Sequence, residues 1–144
     1  MEHRDTIDEL VRVWSNYFRS LRDWEALTKG IASKQTGCGL IYELPNPIDR
    51  PNESFAIADM RQLKTTEPHK DIAIIAEVYF CLQGTGTVTV GDKQYTLKPG
   101  VHVVIPPDVV HFTAITKDLV IAVVSTPPFD PAQYVPVEVK NGSS

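Results

Sequence analysis

Cysteine is scarce in this chain: 144 residues contain two, Cys38 and Cys81. Two thiols cannot build a disulfide scaffold, and they read most simply as reduced cysteines. Long apolar runs are missing too, since none approaches the roughly 18 residues that a bilayer span requires. A basic excess is also absent. Lys and Arg number 14 against 18 Asp and Glu, for a formal net charge of −4. That balance argues against a nucleic-acid or anionic-membrane partner, because both need clustered cations. The opening residues, Met1-Glu2-His3-Arg4-Asp5, carry no apolar signal core and predict a cytoplasmic protein. On that expectation the sequons at Asn52 and Asn141 have no meaning. Internal repeats and low-complexity tracts are absent.

What is present suffices for one globular domain: 42% hydrophobic and 22% charged residues. Ile7, Leu10, Val11, Trp14, Tyr17, Phe18 and Leu21 follow the i, i+3, i+4, i+7 spacing of one apolar helix stripe. Thr6 with Glu9 has the form of a capping box at its start, and Gly30 is a plausible stop. Such a helix packs on its own domain or on a second copy. Pro45, Pro47 and Pro51, with Asn46, Asp49 and Asn52, then predict an irregular connection flanked by short strands near 39–44 and 54–60.

From Asp71 to Thr126 the pattern is all β. Short runs rich in Val, Ile, Tyr, Phe and Thr cover Glu77–Gln83, Thr85–Val90, Gln94–Leu97, Val101–Ile105, His111–Ile115 and Leu119–Ser125. Gly84-Thr85-Gly86, Gly91-Asp92, Lys98-Pro99-Gly100, Pro106-Pro107-Asp108 and Lys117-Asp118 punctuate them as turns. Strands at this spacing predict a sandwich or barrel. The glycines read as hairpins, because a phosphate loop needs a helix after it. The Pro-rich tail from Pro127 is expected to run extended across the surface and to fray at its end. The predicted division is a helical segment over 1–36, a β-barrel over 37–136 and a tail over 137–144.

Three polar residues stand out in the β region: His69, Glu77 and His111. Imidazole and carboxylate groups arriving from separate strands of a small barrel are a natural cradle for a divalent metal. His69 and Asp71 are two apart, so on a strand they share a face. Glu77, Tyr79, Cys81 and Gln83 share one face as well, while Val78, Phe80 and Leu82 share the other. If Glu77 points into a cavity, the opposite apolar face needs a cover, either the N-terminal helix or a second subunit in a homodimer. The bland alternatives are a core His satisfied by a backbone carbonyl at 111 and a rim Glu paired with Lys or Arg at 77.

Glu77-Val-Tyr-Phe-Cys-Leu-Gln-Gly84 with Gly86 resembles the second half of the first cupin motif, in which a metal-binding Glu precedes a Gly by seven residues. Pro99-Gly100, Ile105-Pro106-Pro107 and His111 resemble the second cupin motif, whose His is the last metal ligand. The resemblance spans residues 65–126 and implies a double-stranded β-helix, an all-β jelly-roll barrel holding a metal and a small substrate in its mouth. The family's first motif opens with two His spaced one apart and reaches its Glu after three or four residues. Here His69-Lys70-Asp71 stands at the start and five residues separate Asp71 from Glu77. One inserted residue puts Asp71 in the place of the second His; the uninterrupted register puts Lys70 and Ile72 there instead. The metal set implied on the first register is His69, Asp71, Glu77 and His111, suited to Fe, Mn, Ni or Zn. Tyr79, Cys81 and Thr113 are the expected pocket residues, Cys81 acting as a small hydrophobe and no nucleophile. The implied activity is isomerase- or dioxygenase-type chemistry on a small polar metabolite. A metal-free cupin that binds a sugar or metabolite is the alternative.

Overall fold

The structure is a computed structural model that describes residues 2–138. The apolar stripe near the N-terminus forms helix α1, Glu2–Ser20. It starts ahead of the predicted capping box, so Thr6 and Glu9 lie inside the helix, and Glu9 pairs with Arg50 at 2.8 Å instead. It also ends sooner than Gly30. Residues 21–23 leave the helix, and Asp23 caps a separate short helix α2, Trp24–Thr28, by accepting the Glu25 N–H.

Among the described residues nine strands follow: β1 (Lys34–Thr36), β2 (Gly39–Leu44), β3 (Ser54–Asp59), β4 (His69–Asp71), β5 (Ala76–Val90), β6 (Lys93–Leu97), β7 (His102–Ile105), β8 (His111–Thr126) and β9 (Tyr134–Pro136). They run in the order β1-β2-β3-β8-β4-β9, and β5 joins β6, β7 and β8, all antiparallel. The result is a curled jelly-roll sheet, the predicted all-β class with an N-terminal helix.

Two predicted turns do not exist. Gly84-Thr85-Gly86 lies within β5, and Lys117-Asp118 lies within β8. The two stretches face each other where the β5–β8 register shifts. Gly84 takes φ +78° and Asp118 takes φ +47°, and a Cβ at 84 would run into the carbonyl groups of Lys117 and Asp118. Turn-like residues here make facing bulges, which let two long strands bend around the barrel without ending. The expected frayed end of the tail lies outside the described residues. The described part also departs from expectation. After a short 3-10 turn at Pro131–Gln133 it returns to the sheet as β9, paired with β4.

The two faces of β5 supply two cores. Inside the sheet, Tyr79 and Cys81 pack with Val88, Leu97, Val103, Ile105, Leu119 and Ile121. Outside, Val78 and Phe80 pack with Phe55, Ile57, Val120, Ala122 and Val124 under Leu10 and Trp14 of α1. The helix of the same chain is therefore the cover that the apolar face requires, which removes the packing reason for a second subunit. Trp14 is anchored at both ends: its ring is fully buried, and Nε1 donates to Glu53 at 2.7 Å.

Candidate metal centre

Strand alternation decides which residues reach the interior. In β4, His69 and Asp71 are buried while Lys70 between them is only half-buried. Ile72 follows on the surface, and the chain leaves strand geometry over 72–75 with Ala73 at φ +60°. That kink takes up the extra residue of the motif. It leaves Asp71 buried and Ile72 exposed, and it lets β5 begin with Glu77 buried. His111 opens β8 after the Pro-Pro turn, where Asp108 accepts φ +62°. The register pairs His111 with His69 across β4 and β8.

The four side chains converge. Their candidate donor atoms all lie within 4.8 Å of one another. His69 Nε2 and His111 Nε2 are each 3.6 Å from Asp71 Oδ2, and His111 Nε2 is 3.8 Å from Glu77 Oε1. These gaps are too long for hydrogen bonds. They suit donors sharing one ion, since bonds of about 2.1 Å set neighbouring donors roughly 3–4 Å apart. Both rings are oriented from behind: the Nδ1 of His69 lies 3.2 Å from the Glu67 carbonyl and that of His111 lies 3.0 Å from the Val109 carbonyl. A proton on each Nδ1 leaves each Nε2 lone pair aimed into the cluster. His111 thus makes the carbonyl contact of the bland alternative and still offers a ligand atom.

Electrostatics strain this cluster in the absence of a cation. Burial, then the Asp71 charge beside it, pushes the Glu77 carboxyl well above its usual range. Burial, then the neighbouring His69, lowers His111 to about 4. Asp71 Oδ2 and His111 Nε2 are fully buried with no hydrogen-bond partner, an arrangement that folded proteins rarely tolerate. A divalent ion answers each problem, because two carboxylates, two neutral imidazoles and a 2+ charge sum to zero. The buried His-Asp-Glu-His group can therefore hold a metal ion.

A cavity of about 470 Å³ opens onto the cluster through His69, Asp71 and Glu77. Tyr79 lines it as expected. The other expected pocket residues do not. Cys81 lies farther along β5, with its thiol donating to the carbonyls of Gln83 and Gly84 at the bulge. Thr113 is buried in the sheet and tied by its backbone to Thr66. His111 stands behind the wall, fully buried.

Four further residues support the centre and were not anticipated: Cys38, Glu67, Gln133 and Tyr134. Tyr134 stacks on His69 at 4.2 Å between centroids and donates to Glu67 at 2.5 Å. Cys38 Sγ sits 3.6 Å from the Tyr134 hydroxyl, and burial raises its thiol to about 11. Gln133 Nε2 donates to Asp71 Oδ1 at 3.4 Å, while its Oε1 accepts the Asp130 N–H. One signal for this was present, because Asp130-Pro131-Ala132-Gln133 has the capping-box form with Pro at the first helical position.

A curled antiparallel barrel with imidazoles and carboxylates gathered at its inner wall defines a jelly-roll protein with a candidate metal centre. Residues 62–126 match the Cupin domain family, so this stretch of the barrel is a cupin domain. No curated protein matches it by sequence. Among solved structures it is similar to Pac13 of Streptomyces, described as a unique nucleoside dehydratase (TM-score 0.61, 9% identity, 77% of this chain and 88% of that one). It is also similar to a protein from Planctomyces limnophilus (TM-score 0.63, 21% identity, 81% and 97%). A third is ectoine synthase from P. lautus (TM-score 0.59, 17% identity, 86% and 95%). Identities this low carry the fold alone. Among the described residues no helix is long and apolar enough to cross a membrane.

Proposed function

We propose that this cupin is a metal-dependent enzyme acting on a small polar metabolite, with chemistry of the isomerase or dioxygenase type. The observation that carries the reading is the buried His69, Asp71, Glu77 and His111 cluster, with Asp71 Oδ2 and His111 Nε2 left unpartnered. Two imidazoles with two carboxylates suit Fe(II), Mn(II), Ni(II) or Zn(II). Such an ion supplies Lewis-acid polarisation of a substrate oxygen, or redox chemistry if it is iron. The chain's own residues hold and orient: Glu67 and Val109 carbonyls fix the imidazoles, and Gln133 fixes Asp71. Tyr79, two residues after Glu77 on the same face of β5, lines the cavity. Burial and the Glu77 charge raise the pKa of the Tyr79 hydroxyl, keeping it protonated.

Elemental analysis of untagged protein purified without chelator tests this, beside His111→Ala and Asp71→Ala variants. Near-stoichiometric metal that falls at least tenfold in both variants is expected. A parent chain that stays metal-free after incubation with Fe(II), Mn(II), Ni(II) and Zn(II) overturns the reading. The metal-free binding module then takes its place.

A further inference from the structure

We propose that the molecule accepted by this cavity carries an uncharged, oxygen-bearing head on an apolar body, so that its polarity is confined to one end. The inference rests on the metal-centre reading and limits the substrate's polarity to the end that meets the metal. At the buried end the wall consists of His69, Asp71 and Glu77, with Glu67 beside them. The rest of the wall includes Ile41, Ala58, Met60 and Val123, with Thr36, Ser54 and Ser125, whose hydroxyls are taken by backbone groups. A cavity of about 470 Å³ leaves space for such a body beyond the head.

Charge decides against an anion. A divalent ion on two carboxylates and two neutral imidazoles has no net charge left to attract one. Glu67 adds a further carboxylate, stabilised by the Tyr134 hydroxyl. Among the described residues Lys34 is the one lysine or arginine in the wall; it is 73% exposed and already paired with Glu43 at 3.0 Å. A phosphate or carboxylate entering here would shed its water between apolar side chains and meet acidic groups, with no free cation to receive it. An uncharged oxygen reaches the centre without that penalty. An apolar body then gains by burial against Ile41 and Met60. A phosphorylated sugar fails on both counts.

The test uses the full, metal-loaded chain, with metal content measured in the same sample, and calorimetric titration of three probes. They are 4-phenylpyridine N-oxide, biphenyl-4-carboxylate (the same shape with an anionic head) and pyridine N-oxide (the same head with most of the body removed). The first is expected to bind at least tenfold more tightly than either of the others. Ile41→Glu, which sets a charge in the apolar wall, is expected to weaken it at least tenfold with metal content unchanged; Ile41→Ser checks the same position by a milder change. A loaded chain that prefers the carboxylate, or binds pyridine N-oxide equally well, overturns the substrate class alone. Binding indifferent to both Ile41 variants overturns it too, since the probe then sits elsewhere. A chain that holds no metal overturns both the class and the reading beneath it.

Discussion

A single buried amide shows how much of the candidate site depends on residues that hold no metal. Gln133 touches Asp71 with one atom and the Asp130 backbone with the other, so its rotamer is set from both ends. Asp71 Oδ1 is thereby occupied and Oδ2 is left toward the imidazoles. Replacing Gln133 with Leu keeps the volume and removes the donor, so metal affinity should fall about 10–100-fold, the usual cost of losing such a support. Competition against a chelator of known affinity measures it, and unchanged affinity would show that Asp71 orients itself. Gln133 and Asp71 are 62 residues apart, and Tyr134 and Glu67 are 67 apart. No local spacing announces such contacts, whereas His69, Glu77 and His111 lie in motif halves that can be read directly. Asp71 was legible only as one of two registers. What local spacing does not announce is the backbone kink at Ala73, a residue type with no preference for positive φ.

At the scale of elements, periodicity was the reliable guide and punctuation the poor one. The apolar stripe of α1 is visible in the sequence because six of its side chains, Ile7 to Phe18, repeat at helical spacing, and its packing partner follows from the second face of β5. Glycine and Asp-containing pairs, by contrast, look alike in a hairpin and in a bulge; only the partner strand distinguishes them. Gly91-Asp92 turns the chain between β5 and β6, while Gly84 and Asp118 bend two unbroken strands. The helix makes a quantitative prediction. Trp14 is fully buried against Phe18 and Phe55 and donates to Glu53. Trp14→Ala should cost about 3–5 kcal/mol, the range for large-to-small changes of a buried aromatic. Urea unfolding followed by far-UV circular dichroism reads the difference. A loss below about 1 kcal/mol would mean that α1 is only loosely docked on the sheet.

Across the whole molecule, stability and the candidate site draw on different parts of the chain. Among the described residues both hydrophobic cores are complete by Val124. The segment that follows adds no member to either, yet it brings Gln133 to Asp71, stacks Tyr134 on His69 and pairs β9 with β4. It runs back over the sheet because β4 would otherwise leave an edge with unpaired backbone groups beside the buried cluster. A chain ending at Pro128 keeps β8 entire and both cores intact, so it should still fold with the circular dichroism of the full chain and unfold cooperatively. Its hold on the metal should drop at least about tenfold, since Asp71 loses its orienting amide and His69 its stacked ring. Elemental analysis alongside a thermal melt separates the two effects. If the shortened chain retains metal as firmly as the parent, the barrel alone shapes the centre and the returning strand is only a covering. If it fails to fold, the cores need the tail, and the division between scaffold and site support is wrong.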